Sequence, residues 1–301
     1  MGTSVQHNFS GWRVAVFGAG YVGSAVVRQV VSRGASVVAV TRNPVTADAL
    51  RMVGAEVCIA DLAEARWHGR LEGDFDLVVN CVGAGGGGID GYRRSYLEGM
   101  HSVLRWCSER TTGALVYTSS TSVYAQGGGV RVDESSPARG RNPRSAVLVE
   151  TEESLMSSDA AIRRRVVLRL AGIYGPNRHL LLDQLRAGAE AIAGSAEQHL
   201  NLIHRDDVVR AILVVATEPG LPERAIFNVS DGGEASRGEV VAWLCERLER
   251  PVPVFGGEPS EGARGPVPDR VIVSGLLRER TSWRPEYPSF RDGYSAILAS
   301  S

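Results

Sequence analysis

Short apolar runs alternate along the chain with stretches that repeat apolar residues at helical spacing. Arg13 to Phe17 is an apolar run ending in glycine, the pattern of a strand buried on both faces. Val22, Val26, Val27 and Val30 then recur at helix spacing, and Gly34 closes the segment. Ser36 to Thr41 reads as a second strand, and Asn43-Pro44 as the N-cap and first-turn proline of a second helix. Glu56 to Ile59, Asp76 to Asn80, Ala114 to Thr118 and Arg165 to Leu170 predict further strands, and Tyr92 to Cys107 a long helix. Such alternation predicts an α/β fold, a doubly wound parallel sheet of the Rossmann type covered on both faces. Beyond Gly175 the rhythm loosens. Arg205 to Thr217 and Ser236 to Arg247 predict helices, the second opened by the capping-box pair Ser236 and Glu239. Pro251 to Pro268 is dominated by proline and glycine and predicts a loop rather than a core element.

Composition narrows the function classes. The chain has 301 residues, 44% hydrophobic and 22% charged, with a net charge of -1, an ordinary globular balance that draws it to neither nucleic acid nor an anionic membrane. No apolar run approaches the ~18 residues of a bilayer span. The polar start lacks the regions of a signal peptide, and Cys58, Cys81, Cys107 and Cys245 are widely spaced. Both features predict free thiols and a cytoplasmic location. His68, His101, His179 and His199 have no mutual spacing that suggests a metal site. Lysine is absent from the whole sequence, which excludes Schiff-base chemistry and a P-loop of the GxxxxGK type.

The sharpest local signal is Gly18-Ala19-Gly20-Tyr21-Val22-Gly23, a GxGxxG between a predicted strand and a predicted helix. The first glycine makes the tight turn, the second lets backbone approach a pyrophosphate, and the third lets helix and strand pack closely. Tyr21 and Val22 open the helix whose free N–H groups would meet the phosphates. At the end of the second strand, where NAD-selective sites usually carry a carboxylate, the chain reads Thr41-Arg42-Asn43. Arg42 can pair with a 2′-phosphate and Thr41 can hydrogen-bond it, so NADP(H) is favoured over NAD(H). Gly85 to Gly88 and Gly127 to Gly129 lie just beyond predicted strand ends, the side on which open α/β sheets bind ligands.

Together with this loop, several segments resemble the extended and atypical branches of the short-chain dehydrogenase/reductase family, which include sugar-nucleotide epimerases and dehydratases. They are Ala60-Asp61-Leu62, Val79-Asn80-Cys81-Val82-Gly83, Val116 to Tyr124, Leu168 to Pro176, Asn201 to Val208, Phe227 to Asp231 and Trp283 to Phe290. The resemblance implies that Asp61 holds the adenine amino group with Leu62 beside the ring. It implies that Cys81, Val82 and Gly83 pass the nicotinamide ribose by backbone, and that Ser120 takes the place of the catalytic Ser/Thr. His204 with Asp207 would close the join between domains. The expected division is a polar tail over 1–11, a dinucleotide-binding domain over 12–175, and a substrate-binding region over 176–301 in which 199–230 returns to the first domain.

The departures from the family pattern bear on chemistry. Phe17 stands where extended members carry the first glycine of GxxGxxG, and Tyr96 where the family often has an assisting Asn. Counting back from Glu152 puts Arg144 at the position of the family's tyrosine and Leu148 at that of its lysine. Without lysine, a tyrosine near its ordinary pKa of ~10 is a poor base at neutral pH. Three candidates remain for the chemistry: Ser120, Tyr124 as an acid or as an aromatic cover of the cleft, and Arg144 as an oxyanion or substrate-anion partner. Arg178 can meet a substrate phosphate or carboxylate, and Arg163-Arg164-Arg165 reads as a solvated strand edge. The expectation is an atypical NADP(H)-dependent oxidoreductase acting on a small carbonyl or hydroxyl substrate, with no nucleic-acid or membrane partner and a homodimer in keeping with the family. An epimerase/dehydratase-like enzyme and a non-catalytic cofactor-binding regulator are the alternatives.

Overall fold

The computed structural model describes residues 8–84, 86–257 and 268–300. Seven strands form one parallel sheet: β1 (Arg13–Phe17), β2 (Ser36–Thr41), β3 (Glu56–Ile59), β4 (Phe75–Asn80), β5 (Thr112–Ser120), β7 (Ile162–Leu170) and β11 (Arg224–Val229). Their spatial order is β11-β7-β5-β4-β1-β2-β3, so the direction of winding reverses between β1 and β4. A crevice opens at such a reversal, on the carboxyl side of the strands.

Period-two alternation sends the side chains of each strand to two cores. Along β1, Val14 and Val16 join a cluster with Val26, Val27 and Val30 of α1 (Tyr21–Val31) and with α7 (Arg205–Thr217). Ala15 and Phe17 face the other way, onto Trp67, Met100 and Trp106, the last two in α4 (Gly99–Cys107). The residue that replaces the family's first glycine is therefore a core residue. Its ring centroid lies 4.9 Å from that of Trp67 and 5.5 Å from that of Trp106.

The predicted long helix is interrupted. It runs as α3 (Gly88–Arg93), a π-helical turn over Arg94–Glu98, and α4. After β5 come β6 (Val130–Val132) and α5 (Pro143–Ser157), the latter opened by a capping box between Asn142 and Ser145. β11 pairs with β7, and α7 packs on α1, so these late segments lie on the central sheet.

Most of the remaining described segments gather in smaller cores beside the sheet. β8 (Gly172–Tyr174) pairs with β10 (Leu202–His204), β9 (Ala191–Ala193) with β12 (Val254–Gly257), and β13 (Arg270–Ile272) with β6. α6 (Leu180–Arg186), α8 (Arg237–Leu248) and α10 (Phe290–Ala299) bury Leu182, Val241, Leu244 and Phe290 together; α9 (Gly275–Arg280) adds Leu277 to the first core. Two expectations are corrected here. The stretch from Pro251 contains β12, paired in parallel with β9, because only the Val254-Phe255 step carries strand-forming side chains and glycine hides them; residues 258–267 lie outside the described set. Arg164 and Arg165 do not form a solvated edge. Arg165 is buried and donates to the carbonyls of Ser158, Ala160 and Ile162, while Arg164 reaches Val215 O at 3.0 Å.

Candidate functional site

The glycine loop leaves β1 at the reversal point and is held from both sides. Gly18 N–H donates to Val40 O at 3.0 Å and Cys81 N–H to Phe17 O at 2.8 Å, so the loop is strung between β2 and β4. Gly18 has φ of 76°, and a Cβ there would fall 2.5 Å from Val82 Cα. A Cβ at Gly23 would fall 2.5 Å from Gly18 O. These two glycines are required by protein contacts. Gly20 and Gly83 are different: nothing lies within 4 Å of a Cβ at either, so both leave open space just past the carboxyl ends of β1 and β4. Gly20 is also the N-cap of α1, with no side-chain cap and no acidic residue in the first turn. Unfilled space above N–H groups at the positive end of a helix fits a diphosphate.

At the adenosine end, Thr41 is buried and its hydroxyl accepts from Asn43 N–H at 3.2 Å. Arg42 is exposed and makes no hydrogen bond or ion pair with the described residues. Asp61 accepts from Ala63 N–H and from Arg94 Nε, each at 3.0 Å. Burial would raise this carboxyl, but Ala63 and Arg94, with the Arg42 charge beyond them, hold it below the usual carboxylate range. Leu62 is buried and its carbonyl accepts from Trp67 Nε1 at 3.1 Å. At the other end, Asn80 is buried and accepts from Val82 N–H at 3.2 Å, which shapes the turn through Cys81, Val82 and Gly83. Burial pushes the Cys81 thiol up to about 12, so it stays protonated and is no nucleophile.

The end of β5 carries the candidate chemistry. Ser120 is half-exposed and N-caps a short 3-10 turn, accepting from Ser122 N–H at 3.2 Å. This bond occupies a lone pair and leaves the hydroxyl proton to be donated. Tyr124 is elsewhere than expected. It has no exposed surface; its hydroxyl donates to Asn228 Oδ1 at 2.8 Å and accepts from Arg169 at 3.0 Å. Burial raises its pKa against the pull of Arg169. Neither the acid role nor the role of an aromatic cleft cover is compatible with that position, because the ring lies in a core with Val123, Val132, Leu148 and Ile272. Leu148, expected at the family's lysine position, is packed in the same core. Arg144 is exposed on the first turn of α5, its guanidinium 5.9 Å from the Tyr92 ring centroid. Tyr92 in turn stacks on the half-buried Tyr96 at 4.5 Å.

The polar groups buried below the end of β5 were not among the expected site residues. Arg169 of β7 and Glu152 of α5 form a buried ion pair, with guanidinium-to-carboxylate distances of 2.7, 3.1 and 3.2 Å. Ser119 donates to the same carboxylate at 2.5 Å. Arg270, also buried, donates to the carbonyls of Thr121 (2.9 Å), Tyr124 (2.9 Å) and Gln126 (3.2 Å). The signal was present: an arginine inside the apolar run Val166 to Leu170 must find a partner if the strand is buried. His204 N-caps α7, and its ring centroid lies 4.0 Å from that of Tyr287. Asp207 accepts from the N–H groups of Glu286 and Tyr287 at 2.6 and 3.0 Å, and burial keeps His204 below its ordinary pKa, hence neutral.

Sheet order, reversal-point crevice and glycine cradle define an NAD(P)-binding protein of the short-chain dehydrogenase/reductase type. The sequence profile of the NAD dependent epimerase/dehydratase family matches residues 14–230, and the chain belongs to that family. Protein YeeZ of Escherichia coli (strain K12) is 28% identical, over 92% of this chain and 96% of that protein. The 2-alkyl-3-oxoalkanoate reductase of Stenotrophomonas maltophilia (strain K279a) is 27% identical, over 78% and 74% respectively. Among solved structures, MoeE5 in complex with UDP-glucose and NAD superposes with a TM-score of 0.81 at 24% identity, covering 95% of this chain and 97% of that one. Among the described residues, no helix is long and apolar enough to cross a membrane and no cluster of side chains suits a metal ion.

Proposed function

We propose that the chain is an NADP(H)-dependent oxidoreductase acting on a small carbonyl or hydroxyl substrate, with a proton-handling arrangement other than the family's Tyr-Lys pair. The observation that carries it is the pairing of open space at Gly20 and Gly83 with Arg42 at the end of β2, an exposed cation that makes no hydrogen bond or ion pair with the described residues. Gly18, Gly20, Tyr21, Val22 and Gly23 line the pyrophosphate, Thr41 and Arg42 the 2′-phosphate, Asp61 and Leu62 the adenine, and Cys81, Val82 and Gly83 the nicotinamide ribose. The bound cofactor supplies or accepts hydride. The chain's own residues do the rest: Ser120 donates its hydroxyl proton in a hydrogen bond to the substrate oxygen, water exchanges the proton that the alcohol gains or loses, and Arg144 stabilises the negative charge between the two. Residues 176–301, apart from the segments on the central sheet, form the substrate side. Kinship with a reductase of 3-oxo acids supports carbonyl chemistry and suggests 3-oxo acids for the assay.

The test is consumption of NADPH by the purified chain across a carbonyl panel that includes 3-oxo acids. Turnover with one of them is the expected result, and Ser120→Ala should lower kcat by about 100-fold or more with cofactor affinity unchanged. Tight NADPH binding without turnover of any panel member would point to a regulator, and near-normal turnover by Ser120→Ala would remove Ser120 from the chemistry.

A further inference from the structure

Arg178, in the loop after β8, and Arg205, the first residue of α7, are 27 positions apart in the chain yet flank one ring. Each guanidinium carbon lies 5.2 Å from the centroid of Tyr21, the first residue of α1. The ring is fixed, because its hydroxyl donates to Pro176 O at 3.0 Å. The loop is drawn tight against the helix at Gly175, where φ is 149° and a Cβ would fall 2.9 Å from the Tyr21 oxygen and 3.3 Å from Arg205 Cβ. Only glycine permits that approach.

The electrostatics of this arrangement are one-sided. Arg205 has a carboxylate nearby, Asp206 at 2.8 Å from its Nε, whereas Arg178 is exposed with no ion pair among the described residues. The adjacent helix end is positive too, and its first turn contains no acidic side chain. His204, whose ring borders the same glycine, is held neutral by burial and contributes no further charge. Two like charges gathered over one ring beside a positive helix end repel each other, and a bridging anion relieves that repulsion. The geometry suits a diphosphate, which offers oxygens in several directions to planar guanidinium forks.

We propose that Arg178 and Arg205 form a phosphate clamp that closes over a diphosphate at the start of α1. The clamp rests on the reading of the cradle as a dinucleotide site, and the favoured diphosphate is the pyrophosphate of the cofactor. A diphosphate carried by the substrate has the same chemistry and is the other source. In either case the anion is gripped from two parts of the chain, the glycine loop and the segment leading into the substrate side.

Calorimetric titration of the full chain separates these cases. NADPH and NADH are titrated into the wild type, Arg178→Gln and Arg205→Gln, and UDP is titrated into each after saturation with NADPH. A pyrophosphate clamp predicts that Arg178→Gln weakens NADPH and NADH equally, by about 10-fold or more, and reduces the salt dependence of both. Arg42→Ala should weaken NADPH alone, which distinguishes a 2′-phosphate contact from the clamp. Loss of UDP affinity with unchanged dinucleotide affinity assigns the clamp to the substrate's diphosphate. Unchanged affinity for all three ligands in both arginine variants overturns the clamp. A wild type that binds no dinucleotide overturns the cofactor reading instead; the clamp then stands only if UDP binds and both variants weaken it. Arg178 is exposed, so its variant should fold normally and decides the matter even if Arg205→Gln does not fold.

Discussion

The two ends of the crevice are walled in different ways. Around β1, β2 and β4 the wall is backbone and glycine, with open space over Gly20 and Gly83 and an exposed cation at Arg42. Around β5 and α5 the corresponding wall is closed by side chains. Leu148 and Tyr124 pack in a core, Glu152 accepts from Ser119 and Arg169, and the Tyr124 hydroxyl links Arg169 to Asn228. The first region leaves room for a ligand; the second is filled by the protein's own side chains. Binding and chemistry can therefore diverge separately on one scaffold, because a cradle needs only backbone geometry while proton transfer needs particular side chains within reach.

The comparison is most easily broken at the buried pair. Arg169→Met should destabilise the chain by about 3–5 kcal/mol, because the buried Glu152 carboxylate loses its counter-charge and the Tyr124 hydroxyl one of its two partners. Arg169→Met with Glu152→Leu should recover much of that loss in a denaturant titration, since no charge is then left alone. A single variant as stable as the wild type would mean that the second region is not held by this network.

Gly20→Ala attacks the first region without touching the second. Its Cβ meets nothing in the protein, so Tm should stay within about 3 °C of the wild type. Dinucleotide affinity should nevertheless fall about 100-fold, because the methyl group occupies the space over the helix N-terminus. Equal affinity in a titration would show that the open space is not where the diphosphate lies. A smaller effect is expected at the adenosine end, where Arg42→Ala should cost NADPH about 10-fold and NADH almost nothing. Equal loss of both cofactors would sever Arg42 from the 2′-phosphate.

The smallest effect concerns Asp231, just past β11, whose carboxyl is raised by burial to about 7 despite the Gly233 N–H at 2.9 Å and the Arg278 charge. The native state thus holds this proton more firmly than the unfolded chain, whose Asp titrates near ~3.9. The contribution is fully present below ~4 and is lost as pH rises towards 7. Asp231→Asn should flatten that fall and raise Tm at pH 8 by about 2–4 °C, part of the gain being forfeited with the attraction to Arg278. Parallel Tm–pH curves for variant and wild type would contradict this account.

Much of the first region was legible in the sequence, because its determinants are local. The positive φ of Gly18 and the contact of Gly23 with Gly18 O belong to one strand–turn–helix unit, although Val82 also presses on Gly18 from the turn after β4, and the valines of β1 and α1 mark their buried faces by period alone. Lysine's absence settled by itself that no Tyr-Lys pair operates. The second region was not legible, since its partners are remote in sequence. Arg169 is paired with Glu152, 17 positions away, Tyr124 with Asn228, 104 away, and the Ser120 turn is held by Arg270, 144 to 149 away. Whether a tyrosine near a strand end faces the cleft or the core depends on which distant side chain can satisfy its hydroxyl. Hydrophobic period and turn chemistry are written residue by residue; the pairing of buried polar groups exists only once the chain has closed on itself.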